Sequence, residues 1–159
     1  MRAVSDATAL IYLLRIGEEG LLESAFTELL LPDGVVEELM GQPSEVRRLE
    51  AVPCVRLSPI STGSTARLPA GFEHLHKGEI SALRLARHLG IQRVVIDDLA
   101  ARMAATELGL DVIGLLGILR LLVEADVIPA IRPYADRARA KGFRVNERFY
   151  ESFLLQMGE

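Results

Sequence analysis

Short apolar runs alternate with stretches of helical period along the whole chain, and that alternation commits it to α/β architecture. Strands are expected at Arg2 to Ser5, Glu28 to Leu31, Cys54 to Ser58, Ile91 to Ile96 and Asp111 to Ile113. Helices are expected between them: Thr8 to Ile16 with Gly17 as its stop, Glu19 to Phe26, a short one opened by Pro32 and Asp33, and Ser44 to Glu50. The stretch after Gly78 has Ala82, Leu83, Leu85, Ala86 and Leu89 at helical spacing, and Gly90 stops it. Asp98 to Leu108, Leu115 to Ala125, Ala130 to Lys141 and Glu147 to Met157 complete the expected helices. Pro59 to Gly71 is rich in loop residues and reads as a flap.

The chain has 159 residues, the length of one domain, half of them hydrophobic and 25% charged, with no repeat or linker. Its one cysteine, Cys54, excludes an internal disulfide framework and reads as a small buried hydrophobe. Arg2 and the apolar Ala7 to Leu14 superficially suggest a leader, but Asp6 interrupts them and Arg15 follows without a cleavage motif. Val112 to Val123 contains Arg120 and two glycines and falls short of the ~18 uncharged residues of a membrane span. A cytoplasmic location with no membrane partner is the expectation.

Two of the expected strands end in acid, the first at Asp6 and the fourth at Asp97-Asp98. Glu38 and Glu79 stand at or near helix starts. In open α/β sheets the ligand crevice lies beyond the carboxyl ends of the strands, so these acids can meet at one edge. Carboxylates gathered without a lysine among them call for a cation, and Mg²⁺ and Mn²⁺ prefer such oxygen donors. The net charge of −4 equals the charge of Asp6, Glu38, Glu79 and Asp98 together.

The order Ser5-Asp6-Ala7-Thr8, Leu31-Pro32 with Val36-Glu37-Glu38-Leu39, Gly78-Glu79-Ile80-Ser81, then Ile96-Asp97-Asp98-Leu99-Ala100-Ala101-Arg102 resembles the PIN-domain proteins, in particular a small prokaryotic PIN-like family. Leu108 to Gly114 with Leu116-Gly117, and Ala140-Lys141-Gly142-Phe143, resemble later segments of that family, so the likeness covers nearly the whole chain. It implies a three-layer α/β/α fold with a parallel five-stranded sheet, an acidic Mg²⁺ or Mn²⁺ site at one edge, and cleavage of RNA. Carried over by position, Asp6, Glu38, Glu79 and Asp98 are the four catalytic acids and metal ligands. Asp97 joins them as a further ligand, because Ile96 occupies the Thr of the usual Thr-x-Asp and leaves two adjacent acids. Glu79 departs from the Asp common at the third position. Thr8 is expected to orient Asp6 or a water. The likeness also implies the toxin of a toxin–antitoxin pair, with a small antitoxin as partner.

Hydrolysis of a phosphodiester by two metal ions suits these residue types and needs no His or Cys nucleophile. Each acid also has a plainer reading: Asp6 as a helix N-cap, Glu79 as a favourable charge at a helix start, Glu37 as a solvent-facing neighbour. His74 and His76 form an H-x-H without a third ligand, and His88 reads as a surface residue. The C-terminal segment is basic through Arg132, Arg137, Arg139, Lys141, Arg144 and Arg148, which reads as a solvated face or as RNA-phosphate contacts. There is no GxGxxG or GxxxxGK[ST], and Thr8 stands where a haloacid-dehalogenase-type phosphatase would have its second Asp. Two functions stand: a metal-dependent ribonuclease, and a PIN-like module that binds nucleic acid or protein without cleaving. Apolar helices near both termini suit a homodimer or the core.

Overall fold

The computed structural model describes residues 1–65 and 67–159. Its centre is a five-stranded sheet of β1 (Arg2–Ser5), β2 (Glu28–Leu31), β3 (Val55–Leu57), β4 (Arg93–Val95) and β5 (Asp111–Ile113), all parallel, in the order β3-β2-β1-β4-β5. Successive residues of each strand serve different cores, as the two-residue period of a strand requires. Ala3, Leu29, Leu31, Val55 and Val95 enter one core, while Val4, Leu30, Val94 and Ile96 enter the other. A sheet buried on both faces needs helices on both, which is the expected three-layer arrangement.

The first core is closed by α1 (Thr8–Arg15), α3 (Asp33–Leu39), α4 (Pro43–Glu50), α7 (Leu115–Glu124), α8 (Arg132–Ala140) and α9 (Glu147–Gln156), α2 being Leu22–Ala25. The second is closed by α5 (Lys77–Leu89) and α6 (Leu99–Glu107), whose alanines Ala82, Ala86, Ala101, Ala104 and Ala105 allow close approach to the sheet. Among the described residues no helix is long and apolar enough to cross a membrane.

Strands β1, β2 and β5 have the expected bounds. The other two are shorter: the Ile91 N–H bonds back to the Ala86 carbonyl at the end of α5, so β4 begins at Arg93. Cys54 belongs to the turn before β3, although its carbonyl accepts from the Leu29 N–H at 2.8 Å. The helix expected at Glu19 to Phe26 is a 3-10 turn (Glu19–Leu21) followed by the short α2.

The flap expected at Pro59 to Gly71 is instead tied down around Ser61 to Thr65, while its Ala66 lies outside the described residues. Asp33 accepts from the Ser61 hydroxyl at 3.1 Å, the Thr62 N–H at 3.0 Å and the Thr62 hydroxyl, and Arg84 donates to the Thr65 carbonyl at 2.6 Å. Burial works to raise the Asp33 pKa, but these donors outweigh it and hold the carboxyl below its ordinary range.

Two glycines set the distance between α3 and α5. A Cβ on Gly34 would stand 2.1 Å from the Ser81 Oγ, and one on Gly78 would stand 2.6 Å from the Glu38 Oε2. The close crossing therefore lays the Glu38 carboxyl over the first turn of α5, one residue from Glu79.

Candidate metal and phosphodiester site

The chain leaves β1 toward β2 and β3 on one side, then returns to β4 on the other, so the strand order reverses between β1 and β4. That switch point opens a crevice beyond the two strand ends. Asp6 follows β1 and Asp97 follows β4, and the Asp6 N–H bonds to the Val95 carbonyl at 2.9 Å. Strand geometry thus brings together two acids that are 91 positions apart in the sequence.

Asp6 is buried, at 2% exposure. Its Oδ1 accepts from the Thr8 N–H at 3.0 Å, the local bond expected of an Asp at a helix start, while its Oδ2 is buried with no hydrogen-bond partner. A buried, unpartnered carboxylate oxygen is costly unless a cation or proton meets it. Burial is the main cause that raises the Asp6 pKa well above the ordinary 3.8; the Asp97 charge comes next, with Glu79 and Glu38 adding and the Thr8 N–H opposing.

Asp97 is half-buried and turns both carboxylate oxygens toward the first N–H of α7, that of Leu115, at 3.0 and 3.1 Å. Gly114 makes this possible: a Cβ there would lie 2.5 Å from the Asp97 Oδ1 and 2.9 Å from an Arg102 guanidinium nitrogen. Burial pushes the Asp97 carboxyl up to about 6 against the Leu115 N–H and the Arg102 charge. Arg102 also donates to the Ile96 carbonyl at 3.1 Å.

Glu79, 7% exposed, accepts from the His76 N–H at 2.9 Å, and its other oxygen lies 3.5 Å from the His76 Nδ1. Glu38 is more exposed, and its pKa is raised by burial and then by the Glu79 charge. Asp98 is exposed and caps α6, its Oδ1 accepting from the Ala101 N–H at 3.0 Å. Asp98 is absent from the charges that act on Asp6, whereas Asp97, Glu79 and Glu38 all act on it. The interior group is therefore Asp6, Asp97 and Glu79 with Glu38 at its edge; Asp98 stands at the rim. Glu37 pairs with Lys77 at the surface.

Thr8, Glu79, Asp97 and Asp98 open into one groove of about 970 Å³. Its other walls come from α1, α6, α7, α9 and the turn before α9; of these the sequence pointed only to the basic C-terminal run, as RNA-phosphate contacts. His76 lines it, while His74 does not.

Much of the C-terminal basic run is engaged in surface ion pairs: Arg132 with Glu151, Arg137 with Glu18, and Arg139 with Asp136 and Glu147. Arg144 lies in the groove instead.

The donors are all carboxylate oxygens, and together with the orphaned Asp6 Oδ2 they fit a hard divalent cation such as Mg²⁺ or Mn²⁺. Their oxygens are partly engaged in local hydrogen bonds, and among the described residues no group of three or more His, Cys, Asp or Glu side chains is drawn together as a ready ligand set.

The family model DUF3368, described as a PIN domain, matches residues 2–159. Neither a curated protein nor a solved structure matches the chain significantly.

Proposed function

Because the chain belongs to the PIN-domain family, whose members are generally nucleases, we propose that it is a divalent-metal-dependent ribonuclease, the toxin of a toxin–antitoxin pair. The observation that carries the reading is the buried Asp6 Oδ2, which has no partner and lies in the field of Asp97, Glu79 and Glu38.

Asp6, Glu79 and Asp97 would hold Mg²⁺ or Mn²⁺, with Glu38 closing from α3 and Asp98 from the rim. Bound there, the metal would neutralise phosphate charge and lower the pKa of a water. The remaining work falls to the chain. The backbone bonds of Thr8 and Leu115 fix the rotamers of Asp6 and Asp97, so the carboxylates are positioned before substrate arrives. The guanidinium of Arg102, beside Asp97, offsets negative charge at the mouth and attracts a phosphate. Burial of Asp6 keeps bulk water from its free oxygen, which strengthens its hold on a cation.

The alternative, a PIN-like module that binds RNA or protein without cleaving, draws on one observation. Glu79 and Asp98 already serve as helix caps, and each needs no metal to explain its place.

Purified protein incubated with single-stranded RNA separates the two readings. Cleavage in Mg²⁺ or Mn²⁺ that EDTA abolishes supports the nuclease. Mn²⁺ binding without cleavage of any RNA supports the module. The toxin role is tested by co-expression with a small reading frame neighbouring the gene: relief of growth arrest and formation of a stable complex are expected, and a second copy in that complex would show the homodimer.

A further inference from the structure

The groove does not end at the acids. It runs from Glu79 and Asp97 past Gly117 and Arg120 of α7 to Arg144, Phe149 and Phe153. We propose that this arm is the subsite for unpaired bases beside the cleaved phosphate, with Phe149 as a stacking platform and Gly117 as the floor. The proposal rests on the nuclease reading above.

Phe149 is a large apolar side chain left 55% exposed at the wall of the groove. Its ring stacks on Phe153 with centroids 6.0 Å apart and planes 25° from parallel, so the platform is braced by its neighbour on α9. A braced, exposed aromatic ring is what a nucleobase requires, because every base offers a π-face.

Gly117 lies inside α7, where glycine is the poorest helix former after proline. A Cβ there would meet the Ile113 side chain at the end of β5 at 3.0 Å, so the glycine in part serves the close packing of α7 on β5. What the missing side chain also leaves open is the groove, and close approach to a ligand is a recognised use of glycine.

Charge selects the occupant. Arg102, Arg120 and Arg144 all line the groove, and Arg144 is exposed with no ion-pair partner among the described residues. Arg120 reaches Glu124 at 2.8 Å in an exposed i,i+4 pair that is readily exchanged. Cations spaced along a groove that ends in carboxylates fit a polyanion whose one phosphate reaches the metal while its neighbours meet guanidinium groups. A base held in a duplex stack is not free to lie on Phe149, so the fitting ligand is single-stranded.

The test uses the full chain and a fluorescein-labelled ten-nucleotide oligouridylate, with binding followed by anisotropy in Ca²⁺ and cleavage of longer single-stranded RNA measured in Mg²⁺ or Mn²⁺. Phe149→Ala should weaken binding by roughly 5- to 150-fold, the cost of losing one stacked base. It should raise KM for cleavage while sparing kcat. Phe149→Trp should restore binding and Phe149→Leu should not. Gly117→Leu should obstruct the floor and weaken binding, and Arg144→Ala should reduce the salt dependence by about one ion.

Three results overturn the proposal: variants at Phe149 and Gly117 that bind as wild type, Phe149→Leu that binds as well as phenylalanine, which would mark an apolar protein contact, or a duplex bound as tightly as the single strand. If wild type cleaves RNA but is indifferent to these substitutions, the groove assignment falls and the nuclease stands. If wild type binds the oligonucleotide through Phe149 yet cleaves nothing, the nuclease falls and the groove stands.

Discussion

Asp6→Asn should reduce metal-dependent RNA cleavage by at least roughly 100-fold, the upper end of what losing even an outer-shell partner of a metal costs. The substitution keeps an oxygen for the Thr8 N–H and keeps the side chain's shape, so the fold is retained. What it removes is the negative charge at the buried, unpartnered Oδ2. The same variant makes a second, opposite measurement possible. Because the folded-state pKa of Asp6 is raised, the ionised form is disfavoured by folding; this liability is absent in acid and develops as pH rises through the folded pKa. In metal-free buffer, Asp6→Asn should therefore melt close to wild type near pH 4 and above it at pH 7.5. A variant that melts well below wild type at both pH values would make Asp6 chiefly a structural cap, and undiminished cleavage would place the chemistry elsewhere.

The second large effect separates the adjacent acids. Asp97→Asn should damage cleavage on the scale of Asp6→Asn, because its charge acts most strongly on Asp6 and its carboxyl, raised to about 6, sits in the switch-point crevice. Removing that charge should also stabilise the metal-free protein above pH 6; the shift from 3.8 corresponds to roughly 3 kcal/mol at most. Asp98→Asn should cost less than about tenfold, since asparagine caps a helix as well as aspartate does and Asp98 is exposed at the rim. Cleavage profiles and melting curves for the two variants, measured side by side, check this. Severe loss in Asp98→Asn with near-normal Asp97→Asn would make Asp98 the principal ligand.

Which of these neighbours faces inward was not legible in the sequence. Two consecutive aspartates after an apolar run look alike, and the choice is made by backbone direction at the end of β4 and by the Gly114 cradle at α7, a non-local contact. Asp6, Asp97 and Glu79 stood out because they stand at a strand end or helix start, where local pattern is strong; Glu38, in the last turn of α3, stood out through its position in the family pattern. Local pattern is likewise strong at β1, β2 and β5, whose apolar runs have polar or charged borders. Strands β3 and β4 were overestimated because Cys54 and Ile91 are apolar for the sake of the core yet spend backbone bonds on a turn and a helix end. The Asp33 staple escaped notice because its partners lie about thirty positions away in a segment that reads as loop. Arg144 was readable as a phosphate contact, but the place of Phe149 in the groove wall was not, since nothing near it signals that α9 lines the same groove as α7.

The most direct test of the central claim is Mn²⁺ anomalous diffraction from crystals of the protein soaked in the metal. The account predicts a peak beside the Asp6 Oδ2, within ligand distance of Glu79 or Asp97, and its loss in Asp6→Asn. Crystals with Mn²⁺ bound elsewhere and none at Asp6, under conditions where RNA is cleaved, would contradict it.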